Sequence, residues 1–301
     1  MSKKIAVLYG GMSAERDVSL NSGSEVAHAL KRAGYQVSLI DAKEELAAQL
    51  AQVKPDVVFN ALHGRFGEDG TVQGLLELMR IPYTHSGVLA SALAMDKPMA
   101  KHMFESAGLK CAQGKVVSKS EMLAGEPMAR PFVIKPLNEG SSVGVHIVDT
   151  DSEYAFSEAG WPFGEEVLVE SYIPGREIQV AVMGEGESAK ALGAIEIEPS
   201  EGFYDYEAKY TDGKAQHIMP APLDEAVYAQ VCELARRAHM ALGCRGVTRS
   251  DFRYDGQDFY LLETNTQPGM TPLSLTPEIA AYVGMDFTAL VTELIETARL
   301  D

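Results

Sequence analysis

Between residues 249 and 265 the chain reads RSDFRYDGQDFYLLETN, which sets Arg249 and Asp251 on one side of an Asp-Gly pair and Glu263 and Asn265 on the other. Asp255-Gly256 between two runs rich in aromatic and aliphatic residues is a hairpin signal. Side chains alternate faces along a strand, so Arg249 and Asp251 share one face, as do Glu263 and Asn265. Folding at the turn brings the two pairs nearly opposite each other. Asp251, Glu263 and Asn265 then form an all-oxygen trio beside a cation. Such a set suits a hard ion such as Mg²⁺, which takes few carboxylates and fills its other positions with water and substrate phosphates. A solvated strand face with scattered charges would look similar. What separates the two is the continuation: Thr266-Gln267-Pro268-Gly269-Met270-Thr271 is a turn rich in backbone donors, and Thr276-Pro277 supplies an N-cap and first helical residue. A metal trio running into an anion-friendly turn points to a phosphate-handling site.

The elements that must position this hairpin begin at the other end of the chain. Residues 3–9 read as a buried strand, followed by a Gly10-Gly11 turn and a helix to about residue 33, capped by Ser13 or Asp17. Gly34 ends it. A strand at 36–41, a helix around 44–52 and a strand at 56–61 follow. Strand alternating with helix predicts a parallel sheet with helices on its faces, and ligands bind beyond the carboxyl ends of such strands. Two loops lie there, 10–18 and 63–74. The first lacks GxGxxG, and its Glu15 also suits the first turn of a helix, where the macrodipole favours an acid. The second, HGRFGEDGTVQG, carries four glycines, two acids and His63.

Asp96-Lys97-Pro98 marks a helix start with Asp96 as N-cap, and a domain boundary falls just before it. Residues 132–135 and 145–148 read as paired strands around a loop at 138–143. A Glu-Gly-Ser-Ser-Val-Gly tip offers backbone N–H groups and hydroxyls to phosphate oxygens, with Lys135 just before it. It is not a Walker loop, which would precede a helix. Strands follow at 167–173, 177–183 and 191–198, and backbone and Glu170 at the first could read an adenine amino group. The stretch 202–213 is polar, aromatic and without a period, which suits a functional loop and equally a long, poorly ordered one. Helices at 223–242 and near the C-terminus carry core-facing apolar stripes.

The 301 residues are enough for two or three domains, and 46% hydrophobic residues make the chain globular. A formal net charge of −17 argues against nucleic-acid or anionic-membrane partners. Cys111, Cys232 and Cys244 show no CxxC spacing and read as reduced thiols of a cytosolic protein. The apolar run at the start is too short for a signal peptide, and no stretch reaches transmembrane length.

Four pieces together resemble the D-alanine–D-alanine ligase family. They are the loop from His63 to Gly74, the run from Arg249 through Glu263-Thr264-Asn265 to Gly269, the Gly10-Gly11-Met12-Ser13-Ala14-Glu15 turn, and Lys135-Pro136 with Glu139-Gly140-Ser141-Ser142-Val143-Gly144. The resemblance covers nearly the whole chain. Thr248, Ser250 and Thr264 are more polar than the family's usual residues beside the metal ligands, and Tyr172 stands where an aromatic lies near adenine.

The resemblance implies an ATP-grasp fold of α/β and α+β type. A doubly wound parallel-sheet domain (1–95) would bind substrate, ahead of a central (96–180) and a C-terminal (181–301) ATP-grasp subdomain. It implies that one D-alanine carboxylate takes the γ-phosphoryl group of ATP and that the amine of a second D-alanine attacks the D-alanyl phosphate, for peptidoglycan precursors. It implies two Mg²⁺ ions, with Mn²⁺ as a substitute, on Asp251, Glu263 and Asn265. Lys97, Lys135 and Lys209 would meet the phosphates, Glu170, Tyr172, Ile173 and Glu177 the adenine and ribose, and Phe203 and Leu262 would flank the base. Glu15 would pair the first ammonium, linked to Ser141 and Tyr210. Arg249 and the Gly269 N–H would hold the oxyanion, His63 would lie near the first carboxylate, and Ser274 with the Leu275 N–H would take the second. It further implies a cytoplasmic homodimer. Competing readings are a D-alanyl-D-lactate or D-alanyl-D-serine ligase, a non-catalytic nucleotide-binding regulator, and a carboxylase-type ATP-grasp subunit. Tyr210 favours the dipeptide over the first, and no biotinyl-type segment supports the last.

Overall fold

The computed structural model describes residues 2–138, 140, 144–152, 154, 156–199 and 213–301. Strand β1 (Lys4–Tyr9) lies between β2 (Gln36–Asp41) and β3 (Val57–Asn60), all parallel, in the order β2-β1-β3. β1 is apolar on both faces because both are covered, as parallel sheets require. Ile5 and Val7 pack against α1 (Arg16–Arg32) and the C-terminal helix Phe287–Glu296. Ala6 and Leu8 pack on the other face against α2 (Leu46–Val53) and α3 (Thr71–Met79). The loops after β1 and β3 therefore emerge side by side at the carboxyl edge.

Two antiparallel sheets follow. β4 (Gly114–Ser118), β5 (Phe132–Pro136), β6 (His146–Val148) and β7 (Glu166–Ser171) form the order β4-β7-β5-β6. β8 (Arg176–Met183), β9 (Lys190–Pro199), β10 (Ala215–Ile218), β11 (Val247–Tyr254) and β12 (Phe259–Asn265) form the order β10-β9-β8-β11-β12. Among the described residues, α4 (Val88–Met95), α5 (Lys97–Ser106), α6 (Lys119–Ala124), α7 (Glu225–Ala241) and α8 (Leu275–Tyr282) precede the C-terminal helix, α9. Val231, Ala235 and Ala238 of α7 join Ile178, Val180, Phe252 and Leu261 in one core. Burial pushes the thiols of Cys111 and Cys244 up to about 12 and that of Cys232 to about 11, and all three are free. Among the described residues no helix is long and apolar enough to cross a membrane.

Two helix starts differ from the sequence reading. α1 has Glu15 as N-cap with no side-chain capping bond, and Ser13 Oγ accepts from the Glu15 N–H instead, 3.2 Å away. Neither Ser13 nor Asp17 occupies the cap, and the Glu15 carboxylate lines the cleft described below. α8 begins at Leu275 with Ser274 as N-cap, two residues before the Thr276-Pro277 start that the sequence suggested. Proline is tolerated at the third helical position because the first four N–H groups have no intrahelical acceptor. Asp96 does cap α5, accepting from the Met99 N–H.

Candidate active site

The hairpin closes through a loop at 255–258, in which Asp255 Oδ1 accepts from the Gln257 and Asp258 N–H groups. From the loop, Tyr254 pairs with Phe259, Arg253 with Tyr260 and Phe252 with Leu261. Continued unchanged, that register would set Asp251 against Leu262 and turn Glu263 to the far face. A β-bulge after Phe252 shifts it, so Asp251 pairs with Glu263 and Arg249 with Asn265. The extra residue is Leu262. One inserted residue reverses the facing of everything beyond it, and here it gathers the oxygen donors on one face. On the opposite face Ser250 Oγ and Thr264 Oγ1 bond at 2.9 Å, and Thr248 Oγ1 bonds His239 Nδ1 at 2.8 Å. The polar departures from the family pattern are thus paired with buried partners.

Asp251 is 4% exposed and takes two bonds from Arg249, Nε to Oδ1 at 2.7 Å and Nη2 to Oδ2 at 2.8 Å. Its neighbour on β8 is Gln179, buried, whose Nε2 donates to Glu177 Oε1 at 3.1 Å while, among the described residues, the Gln179 Oε1 lacks a hydrogen-bond partner. Among the described residues no three His, Cys, Asp or Glu side chains are grouped to hold a metal ion. The hairpin trio has two carboxylates and an amide. Those donors, with an unsatisfied amide oxygen next to Asp251, fit a hard divalent cation that keeps part of its water.

The N-terminal loops supply the opposite wall. Gly10 and Gly11 have φ of 70° and 76°, and a Cβ on Gly10 would lie 2.5 Å from Asp41 Oδ1. This tight turn lets Arg16 bond both Asp41 oxygens at 2.7 Å and the Gly11 carbonyl at 2.8 Å, which fixes the segment ahead of Glu15. The Arg16 bonds hold the Asp41 carboxyl well below the usual carboxylate range. His63 is buried between Glu68 Oε1 on Nδ1 and Ser22 Oγ on Nε2, both at 3.1 Å, and its carbonyl accepts from Ser13 Oγ at 2.7 Å. The turn after the hairpin docks beside the His63 loop and on α1. Gln267 Nε2 donates to the Leu62 carbonyl, and the Met270 N–H donates to Ser22 Oγ at 3.2 Å. Ser274 Oγ accepts from the Thr271 N–H at 2.9 Å.

One cleft is lined by Glu15, His63, Lys97, Arg249, Glu263 and Asn265, and Gly269, Ser274 and Leu275 border it. A second group lies on β5, β7 and β8. Glu170 is buried between Lys101 Nζ on Oε1 and Lys135 Nζ on Oε2, each at 2.7 Å. Burial alone would raise its pKa, but the charges of Lys135 and Lys101 more than offset it and hold the carboxyl below its ordinary value. Arg253 lies over the Tyr172 ring, donates from Nε to the Ile173 carbonyl at 3.2 Å and sits 3.6 Å from Glu177. Lys97 starts α5, and its N–H reaches the Leu137 carbonyl at 3.2 Å, tying the helix to the end of β5. Ser141, Phe203, Lys209 and Tyr210 lie outside the described residues.

Three residues of this region escaped the sequence reading. Lys101 follows Lys97 by four positions on α5, a spacing that puts both on one side of a helix, and that spacing was the available signal. Gln179 follows Glu177 by two, the spacing of one strand face. Glu68 is one of the two acids in the loop that carries His63.

The family model described as "D-ala D-ala ligase N-terminus" matches residues 4–51 and 41–86, and "D-ala D-ala ligase C-terminus" matches 102–296. The chain is 56% identical to a D-alanine–D-alanine ligase of Paramagnetospirillum magneticum over 100% of both chains. It is 55% identical to that of Rhodospirillum rubrum, again over 100% of both. The structure of a D-alanine–D-alanine ligase from Bacillus anthracis complexed with ATP superposes with a TM-score of 0.81 at 32% identity, covering 99% of this chain and 97% of that one.

Proposed function

The chain belongs to the D-alanine–D-alanine ligase family, with its ATP-grasp fold and its production of D-alanyl-D-alanine for peptidoglycan, and we propose how the cleft carries out that ligation. A carboxylate is a poor acyl donor. Transfer of the γ-phosphoryl group of ATP to the first D-alanine makes a mixed anhydride with phosphate as leaving group, and the amine of the second D-alanine displaces it. Phosphoryl transfer needs charge neutralisation and alignment more than covalent help. Lys97 and Lys135, with Lys209, supply positive charge to the phosphates. Glu170, Tyr172, Ile173 and Glu177 contact adenine and ribose, and Leu262 and Phe203 flank the base.

Glu15 pairs the ammonium of the first D-alanine, in a network with Ser141 and Tyr210, and His63 lies near its carboxylate. Arg249 and the Gly269 N–H stabilise the oxyanion that forms as the amine attacks. Ser274 Oγ and the Leu275 N–H take the carboxylate of the second D-alanine, at the start of α8, where the helix dipole favours an anion. Asp251, Glu263 and Asn265 hold two Mg²⁺ ions, for which Mn²⁺ substitutes; the ions neutralise phosphate charge when bound. The protein acts in the cytoplasm, and its three functional regions divide at about residues 95 and 180. It pairs as a homodimer. Leu78 and Leu89, 86% and 69% exposed on α3 and α4, supply apolar surface for a second copy.

The observation that carries this reading is the meeting of Glu15 and His63 with Arg249, Glu263 and Asn265 in one cleft. An amino acid bound at the first pair is thereby presented to the phosphate-handling face. The test is product analysis with ATP and D-alanine, alone and in competition with D-lactate. Dipeptide formed with one ADP per bond is expected. Nucleotide binding without phosphate release, or depsipeptide as the main product, would overturn it.

A further inference from the structure

We propose that Lys101 is a positioning residue whose ammonium stays on Glu170 so that Lys135 can leave it for the phosphates of ATP. The inference rests on the reading above that Lys135 serves the nucleotide phosphates. Glu170 is 6% exposed and bonds one lysine with each oxygen, Lys101 and Lys135 at 2.7 Å each. Its place is fixed from behind. Gly114 on β4 pairs with Glu170 on β7, and a Cβ there would lie 2.7 Å from Glu170 Cγ and 2.6 Å from the Val169 carbonyl. The backbone of β4 thus packs flush against the Glu170 side-chain stem.

The two lysines are held differently. Lys101 rises from α5 and also donates to the Ala112 carbonyl, so it is anchored to protein at two points. Lys135 sits near the end of β5, just ahead of the loop that follows Pro136, and among the described residues its ammonium bonds Glu170. A buried carboxylate that loses its only cation is strongly penalised. With one lysine, recruiting Lys135 to a phosphate would leave Glu170 in that condition. With two, the cluster carries a surplus positive charge, and one ammonium can be lent to the nucleotide while the carboxylate stays compensated. Phosphate binding is thereby separated from the cost of breaking a buried ion pair.

The experiment compares binding of Mg²⁺ with β,γ-methylene-ATP and of adenosine to the full chain by titration calorimetry. Adenosine lacks the phosphates that Lys135 would meet. Lys101→Met should weaken the ATP analogue about tenfold, as expected for a charge-assisted contact made less available, and leave adenosine within about twofold. Lys101→Arg should restore the analogue. Lys101→Gln keeps a donor for the Ala112 carbonyl without the charge, and keeps the test open if the methionine variant does not fold. Equal weakening of both ligands would show a packing role and overturn the proposal, as would no weakening of either. Lys135→Met separates the two levels: if it too leaves the analogue untouched, the reading of Lys135 fails; if it alone weakens the analogue, the role of Lys101 fails.

Discussion

Arg249 and Asp251, neighbours on one face of β11, are joined by two parallel charge-assisted bonds of 2.7 and 2.8 Å, so the side chain proposed for the oxyanion covers the carboxylate proposed for the cation. A divalent cation held by Asp251 would compete with this guanidinium for the carboxylate oxygens. Arg249→Met removes the competitor and should bind Mn²⁺ about tenfold more tightly without nucleotide, while turnover falls sharply. Free Mn²⁺ measured by electron paramagnetic resonance is the check, and unchanged or weaker binding would contradict the competition.

Glu263→Gln keeps shape and removes one negative charge from the trio opposite Asp251. Turnover should fall at least about a hundredfold, since even groups that only orient a metal ligand are worth ten- to a hundredfold. The melting temperature should move by no more than about 3 °C. Near-normal turnover in saturating Mg²⁺ would remove Glu263 from the metal site.

Gly64 has φ of 68°, and a Cβ there would lie 2.6 Å from Glu15 Oε2. Gly64→Ala should therefore displace the Glu15 carboxylate, raising KM for D-alanine while ATP affinity stays constant, with a stability loss of about 1 kcal/mol from the left-handed backbone. Glu15→Gln removes the charge without moving it and should cost about 2–4 kcal/mol in kcat/KM for D-alanine. Steady-state kinetics at low D-alanine check both, and unchanged kinetics in Glu15→Gln would exclude its role in the first subsite.

His85 is buried, with Nδ1 on Thr84 Oγ1 at 2.9 Å; burial, helped by His63 and Arg245, lowers its pKa from 6.5 to about 3. The unfolded chain binds this proton first as pH falls, so the stability from neutral His85 is complete above about pH 6.5 and drains away below it. Buried His239, lowered to about 4 chiefly by burial, acts in the same direction. Between pH 7.5 and 5.5 each histidine removes about 1.4 kcal/mol. His85→Asn, an amide that tolerates the left-handed φ of 69°, should lose about 1.4 kcal/mol less than wild type over that interval by urea unfolding. Parallel losses in both proteins would contradict the assignment.

Local chemistry made much of this protein legible. The apolar runs of β1 and β3, the glycine turns after β1, Asp96 at the start of α5 and the Asp-Gly hairpin each announce themselves in a few adjacent residues. What stayed hidden depends on distant partners. Strict alternation along β12 gives no sign of the bulge at Leu262, although that bulge is what sets Glu263 beside Asp251. The apolar stripe of α9 is plain in the sequence, but nothing local says that it covers Ile5 and Val7 of the first strand. Thr248, Ser250 and Thr264 look misplaced until His239 and their cross-strand bonds are seen. Lys101 gives no local sign because its partner, Glu170, lies sixty-nine residues away.

If the first D-alanine is activated as its phosphate anhydride, one of its carboxylate oxygens must pass to the released phosphate. D-alanine labelled with ¹⁸O in both carboxylate oxygens is turned over with unlabelled ATP and Mg²⁺, and the released phosphate is examined by ³¹P NMR. The carboxylate oxygen that attacks the γ-phosphorus leaves with it when the amine breaks the C–O bond. Each phosphate should therefore carry one ¹⁸O for every dipeptide formed; dipeptide accompanied by unlabelled phosphate would contradict the account.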